Sequence, residues 1–192
     1  MTSQRTRTRM IDRLREQGIR DERVLAAIAA VPRHVFVEEA LASRAYEDTA
    51  LPLGFAQTIS QPYIVARMIE VLRAGRELGK TLEIGAGCGY QAAVLAQLTD
   101  EVYAVERIEP LLAKAKLNMR AIQQFKVRLK HADGNLGLPE AAPFDTIIVA
   151  AAALSVPNAL LQQLALGGRM LLPLGASDQY LLLVERRADG FV

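Results

Sequence analysis

Apolar residues recur along this chain in two different patterns, which change near Lys80. Before Lys80 they recur at helical spacing, which predicts short amphipathic helices over residues 9–17, 21–31, 32–42 and 63–72. Pro62 lies at a first-turn position of the last of these helices. Between residues 46 and 61 no period is sustained, and Pro52, Gly54, Thr58 and Ser60 favour a loop.

From Lys80 onward, strand-like apolar runs alternate with helical segments predicted over residues 91–98, 110–121 and 157–165. The runs are TLEIGAG, EVYAVER, VRLKHAD, FDTIIVAAA, RMLLPLG and YLLLVERR. Such alternation predicts a parallel sheet, and strands that are apolar on both faces need helices on both sides. The sequence therefore predicts an α/β fold: a doubly wound, mostly parallel Rossmann-like sheet with helices on both faces and an N-terminal helical cap.

The length of 192 residues predicts a single domain. Within it, residues 1–79 are expected to form the helical cap and a loop, and residues 80–192 the Rossmann-like core. Asp189-Gly190 indicates a hairpin turn into one more strand. That C-terminal strand is expected to be incomplete.

Composition and charge exclude several classes of protein. With 51% hydrophobic and 23% charged residues the chain is typical of a globular protein, and a net charge of +2 indicates neither a nucleic-acid nor a membrane partner. The longest apolar run, residues 147–154, is far shorter than the ~20 residues that span a bilayer.

The cysteine and histidine content limits metal sites and location. Cys88 is the only cysteine, and neither His34 nor His131 belongs to a cluster of metal ligands, so no metal is expected. The start of the chain has no apolar segment typical of a signal peptide. A cytoplasmic protein is therefore expected.

A glycine-rich turn follows the first predicted strand of the core. Gly85, Gly87 and Gly89 stand between that strand and a helix, where the backbone can approach a ligand closely. The dinucleotide fingerprint needs Gly or Ala at position 90, which Tyr90 occupies. Glu83, two residues before the first glycine, suits an ammonium group better than a pyrophosphate.

Acidic residues follow the next two predicted strands. Glu106 lies 21 residues after Gly85, where a carboxylate can accept hydrogen bonds from both hydroxyls of a ribose. Asp133-Gly134 follows the third strand, where an acid can accept from an adenine amino group. Taken singly, Glu106 could be a surface ion pair and Asp133-Gly134 a plain turn.

Glu83, the glycine turn, Glu106 and Asp133 together resemble the class I S-adenosylmethionine-dependent methyltransferases. Three stretches narrow the resemblance to the protein-L-isoaspartate O-methyltransferase family: QTISQP, LEIGAGCGYQAAVLA and PFDTIIVAAA. The TISQP stretch is the specific part, because other methyltransferases share only the glycine turn. Cys88 and Ala86 depart from the Ser and Thr usual in the family, and family members extend beyond the end of this chain.

The resemblance implies an enzyme that transfers a methyl group from S-adenosylmethionine to the free α-carboxylate of L-isoaspartyl residues in damaged proteins and peptides, starting repair through a succinimide. It implies Ser60 as the catalytic residue and Thr58, Ile59, Ser60, Ala151 and Ala152 as substrate-binding residues. The cofactor-binding residues that it implies are Glu83, Gly85, Ala86, Gly87, Cys88, Gly89, Glu106, Asp133 and Gly134. Without the resemblance, Ser60 would be interpreted as a helix N-cap.

Three alternatives remain open at this point. The chain could methylate another small-molecule or RNA acceptor, or it could be a non-catalytic nucleotide-binding module. Tyr90 disfavours the third alternative, an NAD-linked dehydrogenase. Cys88 is expected either to be a small residue in a tight turn or, at a helix N-terminus, to carry a reactive thiol that bound cofactor protects.

Overall fold

The computed structural model describes residues 4–176 and 178–192. Over these residues the helices are α1 (Gln4–Glu16), α2 (Glu22–Ala30), α3 (Pro62–Arg73), α4 (Tyr90–Leu95), α5 (Glu109–Ala121) and α6 (Asn158–Gln163). The strands are β1 (Leu51–Gly54), β2 (Gln57–Ile59), β3 (Thr81–Ile84), β4 (Val102–Glu106), β5 (Val127–His131), β6 (Phe144–Val149), β7 (Leu164–Leu174), β8 (Tyr180–Arg187) and β9 (Gly190–Phe191). Short 3₁₀ turns span Arg33–Phe36, Glu39–Arg44 and Pro139–Ala141.

The main sheet has the strand order β5-β4-β3-β6-β7-β8-β9. Strands β3 to β7 pair in parallel, with Leu82 of β3 opposite Tyr103 of β4 and Ile147 of β6, whereas β8 and β9 are antiparallel. The chain leaves β3 in one direction towards β5 and returns on its other side as β6. In such a sheet, a ligand crevice lies at the carboxyl ends of the strands where the order reverses.

Successive residues of the strands enter two different hydrophobic clusters, as expected for a sheet covered on both faces. Leu82 and Ile84 of β3 pack with Leu160 of α6 on one face. Val102 and Ala104 of β4 pack on the other face, in a cluster that contains buried apolar residues from each of α1 to α5. The predicted mostly parallel α/β sheet with helices on both faces is confirmed.

The N-terminal helices form an outer layer behind the helices that contact the sheet. The Asp21 carboxylate caps α2 by accepting from the backbone N–H groups of Arg23 (2.9 Å) and Val24 (3.2 Å). The apolar side of α2 then packs against α3 and α4. The predicted helical cap is therefore a second layer of helices on one face of the sheet.

Several predicted boundaries were wrong. Helix α1 begins at Gln4 rather than Arg9, because its first turns are polar and carry no apolar period. The helix predicted over residues 32–42 is two 3₁₀ turns, interrupted where Val37 is extended (φ −113°, ψ 167°). Helix α6 ends at Gln163, because Leu164 is already extended and begins β7.

The predicted loop over residues 46–61 contains an antiparallel hairpin of β1 and β2. Its turn places Phe55 and Ala56 at φ of +54°, in the left-handed region that side chains rarely adopt. Hairpin prediction relies on Asn-Gly or Asp-Gly at such a turn, and this sequence has neither there. At Asp189-Gly190, by contrast, the predicted turn joins β8 to β9 and is confirmed.

Candidate active site

A cavity of about 770 Å³ opens at the carboxyl ends of β3, β4, β5 and β6. One side of the cavity, the strand-end wall, comprises residues 83–88, 106–108 and 133–135. A second side, the hairpin wall, comprises residues 53 and 57–60. The turn after β6, residues 150–155, closes a third side.

The glycine turn brings three walls of the cavity together. Gly85, Gly87 and Gly89 have φ of +83°, +54° and +89°, which only glycine adopts freely. A Cβ atom on Gly85 would lie 3.7 Å from Ala151 Cβ, and one on Gly87 would lie 3.5 Å from Leu53 Cδ1. The turn therefore has the hairpin on one side and the turn after β6 on the other.

Glu106 ends β4 with its side chain only 6% exposed. Its Oε2 accepts from the Gly87 N–H at 2.8 Å, and its Oε1 accepts from the Ile108 N–H at 2.8 Å. Each carboxylate oxygen has a second lone pair that a ligand hydroxyl can use. Glu106 thus holds the glycine turn and lines the cavity beside it.

Glu83 is 1% exposed and lines the same cavity. Neither of its carboxyl oxygens accepts a hydrogen bond of normal geometry within the described part of the chain, although the Gln91 amide lies close enough to affect its pKa. Burial raises the pKa of Glu83 well above its usual range, and the charge of Glu106 adds to the rise, whereas the Gln91 amide opposes it. A buried, unpartnered carboxyl group is unfavourable. The wall therefore offers two acceptor oxygens to a cationic ligand group.

Asp133 and Gly134 lie at the far end of this wall, after β5. One oxygen of the exposed Asp133, Oδ1, accepts from the Asn135 N–H at 2.9 Å. A Cβ atom on Gly134 would lie 2.4 Å from Ile84 Cγ2, so any other residue there would require the Ile84 side chain to move. Glycine thus lets the chain cross close to the end of β3.

Ser60 is half-buried between β2 and α3 and lines the cavity. The N-cap residue of α3 is Gln61, and the Tyr63 N–H donates a hydrogen bond to Asp48 Oδ1 at 3.0 Å. Burial raises the pKa of Asp48, but hydrogen bonds from Gln17, Gln61 and the Tyr63 N–H outweigh it and lower the pKa overall. Asp48, rather than Ser60, therefore caps this helix.

Among the other predicted substrate-binding residues, Thr58, Ala151 and Ala152 are exposed on the cavity. The Ile59 side chain is 4% exposed and packs in the core. Only the backbone of Ile59 is therefore in a position to meet a ligand.

A family model described as protein-L-isoaspartate(D-aspartate) O-methyltransferase matches residues 5–192. The chain belongs to this family. A protein-L-isoaspartate O-methyltransferase from Dechloromonas aromatica is 75% identical, over 100% of this chain and 89% of the relative. One from Aromatoleum aromaticum is 65% identical, over 98% and 87%.

Two solved structures show the same fold. A protein-L-isoaspartate O-methyltransferase superposes with a TM-score of 0.85 at 29% identity, over 95% of this chain, and the chain spans 60% of the length of that structure. A beta-aspartate methyltransferase from Plasmodium falciparum, in complex with S-adenosyl-L-homocysteine, superposes with a TM-score of 0.82 at 22% identity, over 95% and 90%.

The burial of Cys88 bears on the two interpretations of its thiol. The thiol is 2% exposed, and burial raises its pKa to about 11. Nearby backbone N–H groups and the Arg33 charge lower the pKa, but burial dominates. Burial and the raised pKa therefore disfavour a reactive thiol and favour the interpretation of Cys88 as a small residue in a tight turn.

Two residues that position the site were missed at the level of sequence. Arg33 is fully buried, and its Nη2 donates to the Ser60 carbonyl at 2.8 Å. Asp48 fixes the start of α3, as described above. The sequence indicates a special role for Arg33 only by placing one charged residue inside the apolar stretch of residues 31–37. Nothing in the sequence distinguishes Asp48 from the other acidic residues of the chain.

Tyr90 stands where a dinucleotide-binding turn has its third small residue. Its ring is 1% exposed and packs edge-on against Phe36, with centroids 5.5 Å apart, and beneath the Arg33 guanidinium. Burial raises the pKa of the Tyr90 hydroxyl to about 12. The ring therefore fills the core rather than the cavity.

Residues 4–176 and 178–192 contain no group of three or more His, Cys, Asp or Glu residues arranged to hold a metal ion. They also contain no helix long and apolar enough to cross a membrane.

Proposed function

We propose that this chain transfers a methyl group from S-adenosylmethionine to the free α-carboxylate of L-isoaspartyl residues in damaged proteins and peptides. The observation that carries the proposal is that the family match extends over residues 5–192 while the glycine turn, Glu106 and Ser60 line one cavity. The family match disfavours the other methyl acceptors considered above.

The cavity residues fit this cofactor. Glu83 has two buried, unpartnered oxygens, which suit the ammonium group of the methionine part. Glu106 has free lone pairs for the two ribose hydroxyls, and Asp133 has an exposed carboxylate for the adenine amino group. We assign close backbone contact with the cofactor to Gly85, Ala86, Gly87, Cys88, Gly89 and Gly134.

We assign binding of the methyl-accepting peptide to the hairpin wall and the turn after β6. In the described chain β2 pairs only with β1, so its other edge is free to bond an extended peptide through main-chain groups. Thr58, the Ile59 backbone, Ala151 and Ala152 are the proposed peptide contacts. Recognition through the backbone suits an enzyme whose target is one altered residue in many different sequences.

Methyl transfer to a carboxylate requires little chemical assistance from the enzyme's side chains. The methyl carbon leaves the sulfonium sulfur as the C–S bond breaks, and a C–O bond forms to the α-carboxylate, giving S-adenosylhomocysteine and a methyl ester. The carboxylate is ionised at neutral pH, so the transfer needs no general base. We assign to the Ser60 hydroxyl the task of donating to this carboxylate and orienting it, since alignment alone can lower a barrier by up to about 7–11 kcal/mol.

After transfer, no further enzyme group is required. The backbone nitrogen that follows the ester attacks its carbonyl carbon, methanol leaves, and a succinimide forms. Hydrolysis of the succinimide gives normal aspartate in part.

The test uses methyl-labelled S-adenosylmethionine with an isoaspartyl peptide and its aspartyl twin. We expect label only in the isoaspartyl peptide, as an ester that releases methanol in mild base. Equal labelling of both peptides, or labelling only of a small molecule or RNA, would overturn the proposal. Cofactor binding without transfer to any acceptor would instead favour a non-catalytic module.

A further inference from the structure

Arg33 is a fully buried cation that contacts Ser60 of the hairpin wall and Tyr90, the first residue after the glycine turn. Its Nε donates to the Ala45 carbonyl and its Nη2 to the Ser60 carbonyl, both at 2.8 Å. Its guanidinium carbon lies 4.8 Å from the centroid of the Tyr90 ring. Nη1 has no hydrogen-bond partner among the described residues.

Stability alone does not account for an arginine at this place. Both of its hydrogen-bonded partners are carbonyl oxygens rather than carboxylates, so the charge is not neutralised by a bonded anion. An apolar side chain of similar volume often serves a buried site as well or better. A guanidinium differs from an apolar side chain because its planar set of N–H groups holds several hydrogen-bond acceptors in a fixed geometry.

The groups that Arg33 joins belong to different parts of the site. Ser60 carries the proposed catalytic hydroxyl at the base of the hairpin wall. Tyr90 is the first residue of α4, directly after the glycine turn. Ala45 follows the 3₁₀ turn Glu39–Arg44, from which the chain runs on to the hairpin.

We propose that Arg33 is a positioning residue that sets the place of the Ser60 backbone relative to the glycine turn, and so sets the distance between acceptor and cofactor. This inference rests on the proposed function, because only methyl transfer makes that distance matter. A misplacement of about 1 Å at a reacting centre can lower the rate about 100-fold. The cofactor itself should bind normally, because the glycine turn has its own backbone hydrogen bonds to β4.

The test is a double-mutant cycle of Arg33→Met and Ser60→Ala. We expect Arg33→Met to lower kcat by about 10–100-fold while changing the affinity for S-adenosylhomocysteine by less than about threefold. In the Ser60→Ala background the same change should lower kcat by less than about threefold, because the group being positioned is already gone. Arg33→Lys, which keeps the charge but not the planar set of N–H groups, should fall between wild type and Arg33→Met.

The matched control is Arg73→Met. Arg73 is also buried, but it is paired with Asp21, the N-cap residue of α2, and neither residue lines the cavity. We expect this variant to lower the melting temperature and to leave kcat at the wild-type level below that temperature. Equal losses of kcat from Arg33→Met in both backgrounds would overturn the inference.

Hydrogen exchange separates this inference from the proposed function, because it needs no activity. In Arg33→Met we expect faster amide exchange in residues 57–63 and unchanged exchange in β3 and β4. Unchanged exchange in residues 57–63 would overturn the positioning role. A wild-type protein that methylates no isoaspartyl peptide would refute the proposed function, and the exchange result would still decide the role of Arg33.

Discussion

The two walls of the cavity are held in place by different contacts. On the strand-end wall, the Gly85 and Ala86 N–H groups donate to the Val105 carbonyl at 2.9 and 3.0 Å, and Glu106 accepts from Gly87. On the hairpin wall, the Ser60 carbonyl is bonded by Arg33, 27 residues away. One wall is an extension of the sheet, whereas the other depends on side chains from distant segments.

This difference predicts how the two walls respond to substitution. Groups bonded to the sheet should share its stability, whereas a segment held by a few distant side chains opens at lower free energy. We therefore expect changes in the strand-end wall to alter cofactor affinity and changes in the hairpin wall to alter turnover.

Glu106→Gln should give the largest effect. The amide would lose charge-assisted bonds to the ribose, worth about 1.5–3 kcal/mol each, and would present N–H groups to the N–H of Gly87 or Ile108. We expect cofactor affinity measured by calorimetry to fall by about 100-fold or more. Glu109→Gln, at an exposed acid in the first turn of α5, is the control and should bind normally. Wild-type affinity in a folded Glu106→Gln protein would contradict the assignment.

Ser60→Ala should lower kcat by about 10–100-fold with cofactor affinity unchanged, because one hydrogen bond to a charged acceptor is worth about 1.5–3 kcal/mol. Steady-state kinetics with the isoaspartyl peptide measure it. Ser43→Ala is the matched control, since Ser43 is an exposed serine of the 3₁₀ turn Glu39–Arg44, outside the residues that line the cavity. Turnover at the wild-type rate in Ser60→Ala would show that the two walls do not divide their tasks in this way.

Glu83 should make both stability and cofactor binding depend on pH. Its folded-state pKa is raised, so the stabilisation is complete below the usual glutamate pKa and is lost as the pH rises through the raised value. Glu83→Gln should therefore raise the melting temperature of the free protein more at about pH 8 than at about pH 5. It should also weaken cofactor binding, because the amide cannot pair with an ammonium group.

Glu70→Gln is a control for which the pH dependence of stability should have the opposite sign. Burial raises the pKa of Glu70, but hydrogen bonds from the Arg20 and Asp21 N–H groups outweigh it, so the pKa is lowered and its stabilisation is lost as the pH falls. Cofactor binding to wild type should release protons, because an ammonium group favours the ionised form of Glu83, whose pKa is raised in the free protein. Calorimetry in buffers of different ionisation enthalpy measures that release. Absence of that release would mean that Glu83 does not meet the ammonium group.

Cys88 should give the smallest effect. Because the thiol is buried and its pKa is about 11, we expect slow alkylation of the folded protein both with and without cofactor, followed by intact mass. Cys88→Ser, which restores the residue usual in the family, should retain activity within about threefold of wild type. Rapid alkylation that cofactor suppresses would show that this part of the strand-end wall opens in solution.

The roles assigned to individual site residues, the single domain over residues 1–192 and the cytoplasmic location stay predictions. The domain prediction rests on chain length, and the location rests on the single cysteine and on the character of the first residues.

The sequence by itself determined the sheet and one wall of the cavity. Apolar runs separated by helical periods specify parallel strands, and whatever follows such strands at their carboxyl ends must meet at one edge. Glu83, the glycines, Glu106 and Asp133 were therefore placed together by local pattern alone. The close approach of Gly134 to Ile84 belongs to the same edge.

Only the tertiary structure decided the hairpin wall and the chemical state of the buried groups. Turn residues with positive φ at Phe55 and Ala56, the 3₁₀ turns after Pro32 and the link from Arg33 to Ser60 depend on contacts between segments far apart in sequence. Cys88 shows the same limit, because its place at a helix start favoured a thiolate, whereas its pKa follows from burial. The burial of an ionisable side chain such as Cys88 or Glu83 depends on everything that packs around it, and its effect on the pKa is therefore decided by the tertiary structure.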